Sequence, residues 1–91
     1  MTVDQILNEL RVEIDRQDEK HGPYQRQSRL GVSRLALATL EDEVAEAKDA
    51  WRDERHSDDW SHTREEVLQI AAVAVRTIRD ALSSSSEEAG R

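Results

Sequence analysis

Apolar residues recur along most of this chain at spacings of three and four, the repeat of an α-helix with one buried face, and they do not alternate as a half-buried strand would. The first stripe, Val3, Leu7, Leu10 and Ile14, predicts a helix over 3–19. Thr2, followed three residues later by Gln5, has the spacing of a capping box and marks the start. "KHGPYQRQSRLG" then reads as a loop, because His21-Gly22-Pro23 cannot continue a regular helix. Leu37, Leu40, Val44, Ala47 and Trp51 predict a second helix over 33–55, with Trp51 packed in the core. "RHSDD" breaks it, and Thr63 with Glu66 has capping-box spacing again, opening a third helix that runs to about residue 82. The stretch "EEVLQIAAVAVRTI" in that helix is apolar on nearly every side, so burial all round is expected. Three helices cannot cover it alone. The expected fold is all-α, a small helical bundle of about three main helices completed by oligomerisation as a homodimer or homotetramer. Residues 1–82 form the expected domain, and the polar "SSSSEEAGR" of 83–91 is a tail expected to be disordered.

Composition narrows the chemistry. The chain has 91 residues, enough for one small domain, and no cysteine, which removes disulfides, thiolate zinc sites and cysteine nucleophiles together. Charged residues make up 36% and the formal net charge is −7, so the surface repels phosphate backbones and a nucleic-acid partner is not expected. Aromatic residues are too few for a single-strand stacking platform. No apolar run approaches the roughly 20 residues of a membrane span, and "MTVDQILNEL" lacks the basic and apolar regions of a secretion signal. A soluble, cytoplasmic protein is expected, with no membrane partner.

The acidic residues are not all alike. With about 100° per residue, Asp42, Asp49 and Asp53 fall opposite the Leu37–Leu40–Val44–Trp51 stripe and read as solvated. Glu43 falls roughly 80° from the stripe, among the small residues Ala36, Thr39, Ala47 and Ala50, which leave room for another helix. Glu46 lies one turn further along the same edge. On the third helix Glu66, Gln69, Val73, Thr77 and Asp80 share an edge opposite Val67–Ala71–Val75–Ile78, with Arg76 bordering it. If the two edges face each other, their oxygens form a pocket suited to Mg²⁺, and without a cation they form a cluster of repelling charges. Spacing alone favours the reading in which all four are solvated, since E-x-x-E arises by chance in most charged helices.

The order of these motifs resembles that of the MazG-like, all-α NTP pyrophosphohydrolases. That family carries E-x-x-E on one helix and E-x-x-D on the next, often within an "EELxDVL"-like stretch. Here "EDEVAEA" matches the first through Glu43 and Glu46, and "REEVLQIAAVAV" the second through Glu66, with Gln69 at the Asp position. "EIDRQDEKHG", residues 13–22, is similar to the "ERxRQDxKxG" segment of phage-type and actinobacterial-type members. The likeness covers roughly residues 6–82. It implies cleavage of a nucleoside or deoxynucleoside triphosphate between the α and β phosphates, giving the monophosphate and pyrophosphate. It also implies Mg²⁺ (or Mn²⁺) held by Glu43, Glu46 and Glu66, dimers or tetramers, and the host cytoplasm if the gene is carried by a phage. Gln69 removes one negative charge from the pattern while keeping an oxygen that can ligate Mg²⁺.

Arg16 and Lys20, within the resembling N-terminal segment, and Arg76, beside the Glu66 edge, are the candidate cations for the triphosphate. His21, Tyr24 or Trp51 could meet a base, while His56 and His62 read as linker and cap residues. Two rivals to an enzyme remain: an acidic helical module that binds itself or a partner, and a nucleotide binder without turnover.

Overall fold

The computed structural model describes residues 1–22 and 29–82; Tyr24 and the polar tail 83–91 lie outside the described residues. Three helices follow in order, α1 (Val3–His21), α2 (Arg29–Glu54) and α3 (Ser61–Thr77), and a π-helical segment, Ile78–Leu82, continues α3. No strand occurs among the described residues, and no described helix is long and apolar enough to cross a membrane. The expected small all-α bundle is therefore present.

The capping box of α1 forms as its spacing predicts. Gln5 N–H donates to Thr2 Oγ1 at 3.2 Å, and Thr2 N–H donates to Gln5 Oε1 at 2.8 Å. The helix runs two residues beyond the predicted end. Gly22 then stops it at φ 71°, a left-handed conformation open to glycine, and its N–H donates to the Asp18 carbonyl at 2.7 Å. Helix α2 begins four residues earlier than predicted, so Gly31 sits in its first turn, where a glycine costs less than it would mid-helix.

The second predicted capping box does not form. Trp60 occupies the N-cap of α3 and contributes no side-chain cap, while Thr63 lies inside the first turn. Glu54, the last residue of α2, takes over the task. Its carboxylate accepts from His62 N at 3.2 Å, Thr63 N at 2.6 Å and Thr63 Oγ1 at 2.6 Å. Asp59 adds a second carboxylate there, accepting from Ser61 N at 2.9 Å. Two anions thus satisfy the free amides and the positive dipole end of α3.

Helix α3 is the centre of the fold: among the described residues the backbones of α1 and α2 each pack on it rather than on one another. The contact is made by small residues. Ala36 and Ala50 of α2 and Ala72 and Val73 of α3 are buried, whereas Leu37, Val44 and Trp51 face solvent. The inward edge of α2 is therefore turned about 80° from the expected stripe, toward the alanines, and leaves Leu40 and Ala47 half-buried between the two. Trp51 is 46% exposed rather than in the core, with the Arg55 guanidinium 5.6 Å from its ring centre. Within the single chain α3 is left partly uncovered, with Val67 and Val75 exposed and Ile78 exposed just beyond it, as expected of a helix that three helices cannot cover alone. Alanines facing each other let two helix axes approach closely, and branched side chains in the same seam would hold them apart. Periodicity identified both faces of α2 but could not rank them.

The C-terminal end of α1 is clamped to α3 by charge. Arg76, only 2% exposed, donates from Nε to Asp18 Oδ1 at 2.8 Å, from Nη2 to the Gly22 carbonyl at 2.6 Å and from Nη1 to Gln17 Oε1 at 3.4 Å. Arg79 reaches the same carboxylate through Nη1 at 2.9 Å and Nη2 at 2.8 Å. Nearby, the Thr77 hydroxyl donates back to the Val73 carbonyl at 2.7 Å, one turn before the helix widens into its π segment.

Both charged devices give measurable consequences. The two arginines hold the Asp18 carboxyl down at about 2 against an ordinary 3.8. The depressed value means that its stabilisation is complete above pH 3.8 and is lost as pH falls toward about 2. Asp18→Ala, which leaves the buried Arg76 short of its anion, is expected to cost about 2 kcal/mol by denaturant unfolding at neutral pH. The Thr63 and His62 bonds likewise lower Glu54 from 4.5. Glu54→Ala should lower Tm at pH 7, and the gap to the wild type should close as pH falls below 4.5 and through the depressed value.

Candidate metal centre

Glu43 and Glu46 lie one turn apart on α2, and Glu66 sits in the first half of α3. Because α3 meets α2 along its alanine edge, the three side chains converge. One oxygen from each lies within 4.8 Å of the other two. The two acidic edges therefore do face each other, and the reading in which all these carboxylates are solvated does not hold for Glu43 and Glu66. Glu43 Oε2 and Glu66 Oε2 are both buried, and each lacks a hydrogen-bond partner. Glu46 remains exposed. By contrast Asp42, Asp49 and Asp53 face solvent as expected, with Asp49 pairing to Arg52 at 3.2 Å.

Burial pushes the Glu43 carboxyl above its ordinary value, and the negative charges of Glu46, Glu66 and Glu13 push it the same way. Orphaned buried carboxylate oxygens are expensive, since each has exchanged water for nothing. A divalent cation would satisfy both and offset the repulsion. The donor set is all oxygen and anionic, which fits the hard ions Mg²⁺ and Mn²⁺ rather than the softer metals that prefer thiolate or imidazole.

A cleft of about 290 Å³ opens beside Glu43, with Arg16, Lys20 and His21 of α1, Thr39 of α2 and Gln69 of α3 on its wall. Arg16 and Lys20 are thus brought to the carboxylate cluster from a helix distant in sequence. Arg16 is held on Glu13 by two bonds, Nε to Oε1 at 2.8 Å and Nη2 to Oε2 at 2.6 Å, rather than on Asp15 or Glu19. Glu13 is lowered by that pairing and also accepts from Gln17 Nε2 at 2.8 Å. Arg76 borders the same cleft, but its guanidinium faces α1, where it positions the wall that carries Arg16 and Lys20. Gln69 lines the cleft, and its backbone carbonyl accepts from Gln17 Nε2 at 3.4 Å.

Sequence reasoning missed three members of this neighbourhood. Glu13 contributes a fourth carboxylate near Glu43, and its i, i+3 and i, i+4 spacing to Arg16 and Gln17 was the available signal. Gln17 is buried and ties α1 to α3. His62 is more than a cap residue, since its Nε2 lies 3.3 Å from Glu66 Oε1, one turn away on α3. His21 ends α1 and reaches the cleft instead of belonging to a loop. Comparison with protein-family models, with characterised proteins and with solved structures yielded no match to this chain.

The centre makes a prediction that needs no substrate. A raised carboxyl stabilises the fold below its ordinary 4.5 and loses that contribution as pH rises through the elevated value. At pH 7 in chelator, Glu43→Gln should therefore raise Tm by about 2–5 °C. Added Mg²⁺ should raise the Tm of the wild type and leave that of Glu43→Gln unmoved, by differential scanning calorimetry.

Proposed function

We propose that this chain is a Mg²⁺-dependent nucleoside triphosphate pyrophosphohydrolase of the MazG-like, all-α kind. The substrate is a nucleoside or deoxynucleoside triphosphate, the products are its monophosphate and pyrophosphate, and the setting is the cytoplasm. The observation that carries the proposal is the convergence of two orphaned buried oxygens, Glu43 Oε2 and Glu66 Oε2, with Glu46 beside a cleft walled by cations. The motif order of the sequence supports the same reading.

In this mechanism Glu43, Glu46 and Glu66 would hold the metal, and Gln69 would offer an amide oxygen at the edge of the same cleft. When bound, Mg²⁺ supplies polarisation of a phosphoryl oxygen, charge neutralisation and a water that is nucleophilic near neutral pH. The chain's own cations do the rest. Lys20, which has no hydrogen-bond partner among the described residues, meets the polyphosphate as a mobile point charge. Arg16 can exchange its Glu13 carboxylate for a phosphate oxygen without leaving the cleft wall. Phosphoryl transfer asks for positioning and electrostatics rather than a covalent nucleophile, so the lack of cysteine is no obstacle. The cleft volume suits the phosphate end of the substrate, leaving the base at its mouth near His21.

A second reading, a nucleotide binder without turnover, is favoured by Gln69, which leaves the site one negative charge short of the E-x-x-D pattern. Pyrophosphate release from a panel of NTPs and dNTPs with Mg²⁺ decides between them. The wild type should turn over at least one substrate, and Glu43→Gln should lose about a hundredfold or more of that rate while remaining folded. No release from any substrate, with a nucleotide-induced rise in Tm, would establish the binder. Absence of both responses would leave a helical association module.

A further inference from the structure

The face of α2 that carries Leu37, half-buried Leu40, Val44 and Trp51, with Leu37 56% exposed, lies about 80° around the helix from the alanines that meet α3. A shallow hollow over this face is bordered by two opposite charges, Glu41 and Lys48. Their arrangement is close to a palindrome. Leu37 and Trp51 stand symmetrically about Val44, and Glu41 and Lys48 stand symmetrically about the Val44–Ala45 bond. With a rise of 1.5 Å per residue the stripe is about 21 Å long.

Such a face matches a second copy of itself run in the opposite direction. Laid antiparallel about a two-fold axis near Val44, each Leu37 meets Trp51 of the second copy, and Val44 meets its own equivalent. Each Glu41 then meets Lys48 of the second copy, twice over by symmetry. Laid parallel about a two-fold axis along the helices, the flank that carries Glu41 and Lys48 falls on opposite sides of the seam in the two copies, and neither pair forms. Flanking charges choose the orientation of paired helices in this way. The apolar groove between Ile6, Trp60 and Val67 offers no equivalent choice, because its bordering Arg64 is already paired with Glu9.

We infer that this chain associates with a second copy of itself through an antiparallel α2–α2 seam centred on Val44, with reciprocal Glu41–Lys48 pairs setting its direction. The seam fixes the direction and register of the expected dimer, which helical periodicity left open. It stands independently of the proposed hydrolysis, since its readout requires neither metal nor nucleotide.

Sedimentation equilibrium over about a hundredfold range of concentration tests it. The wild type should form a dimer by mass action. Glu41→Lys and Lys48→Glu should each weaken the dimer by about tenfold, through like charges in both reciprocal pairs, and the double swap should restore it. The chain has no native cysteine, so Val44→Cys supplies a second readout. Mild oxidation should cross-link it into a dimer, whereas Leu37→Cys, about 21 Å from its own equivalent, should stay monomeric by non-reducing electrophoresis. A monomer at every concentration, a dimer indifferent to the single reversals, or a double swap that fails to rescue would each overturn the proposal.

Discussion

Everything distinctive in this molecule depends on how closely α2 approaches α3. Ala36 and Ala50 on one helix and Ala72 on the other remove side-chain bulk from the seam, so the two backbones lie near enough for short carboxylate side chains to meet between them. Glu43 and Glu66 are the result, two acids carried inward by a packing edge otherwise made of small residues. A larger residue at Ala36 or Ala72 would widen the gap, return the carboxylates to water and dissolve the cluster. Fold and site are therefore one feature, because the residues that bring the helices together also create the charge problem that a cation would resolve.

That arrangement inverts the usual economy of a small domain. Its described interior holds alanines, one valine, Gln17, Arg76 and Thr77, while leucine, isoleucine, tryptophan and most of the valines are left outside or half outside. A polar interior must be fully bonded to be tolerable, and most of this one is. Arg76 spends its donors on Asp18, Gln17 and the Gly22 carbonyl, and Thr77 bonds back to Val73. The exceptions are the two glutamate oxygens. The outward apolar side chains are the complement of the same design, and the proposed pairing of two copies would cover those on α2.

The clamp at the end of α1 links stability to the candidate chemistry. Arg76 and Arg79 grip Asp18 two residues before Lys20 and two after Arg16, so the charges that hold α1 in place also aim the cationic wall of the cleft. At the other end of α3, Glu54 performs a similar service by capping the first turn, three residues short of Glu66. Each carboxylate of the site is thus carried on a helix whose end is anchored by another carboxylate.

Local chemistry was legible in the chain itself. The three-helix order, the Thr2–Gln5 cap, the stop at Gly22 and the shared edge of Glu43 and Glu46 all follow from rules that act within one turn or one helix. So does the outward direction of Asp42, Asp49 and Asp53. Only the tertiary structure decided which of the two α2 faces turned inward, because Leu37–Val44–Trp51 and Ala36–Glu43–Ala50 repeat with the same period, and a choice between bulk and close approach is made by the partner helix. It also decided that Glu54, and not Thr63, would cap α3, since a reach of nine residues across a turn has no periodic signature. The meeting of Arg16 with Glu43 and of Arg76 with Asp18 belongs to the same class, as sequence separations of this size are closed by packing alone.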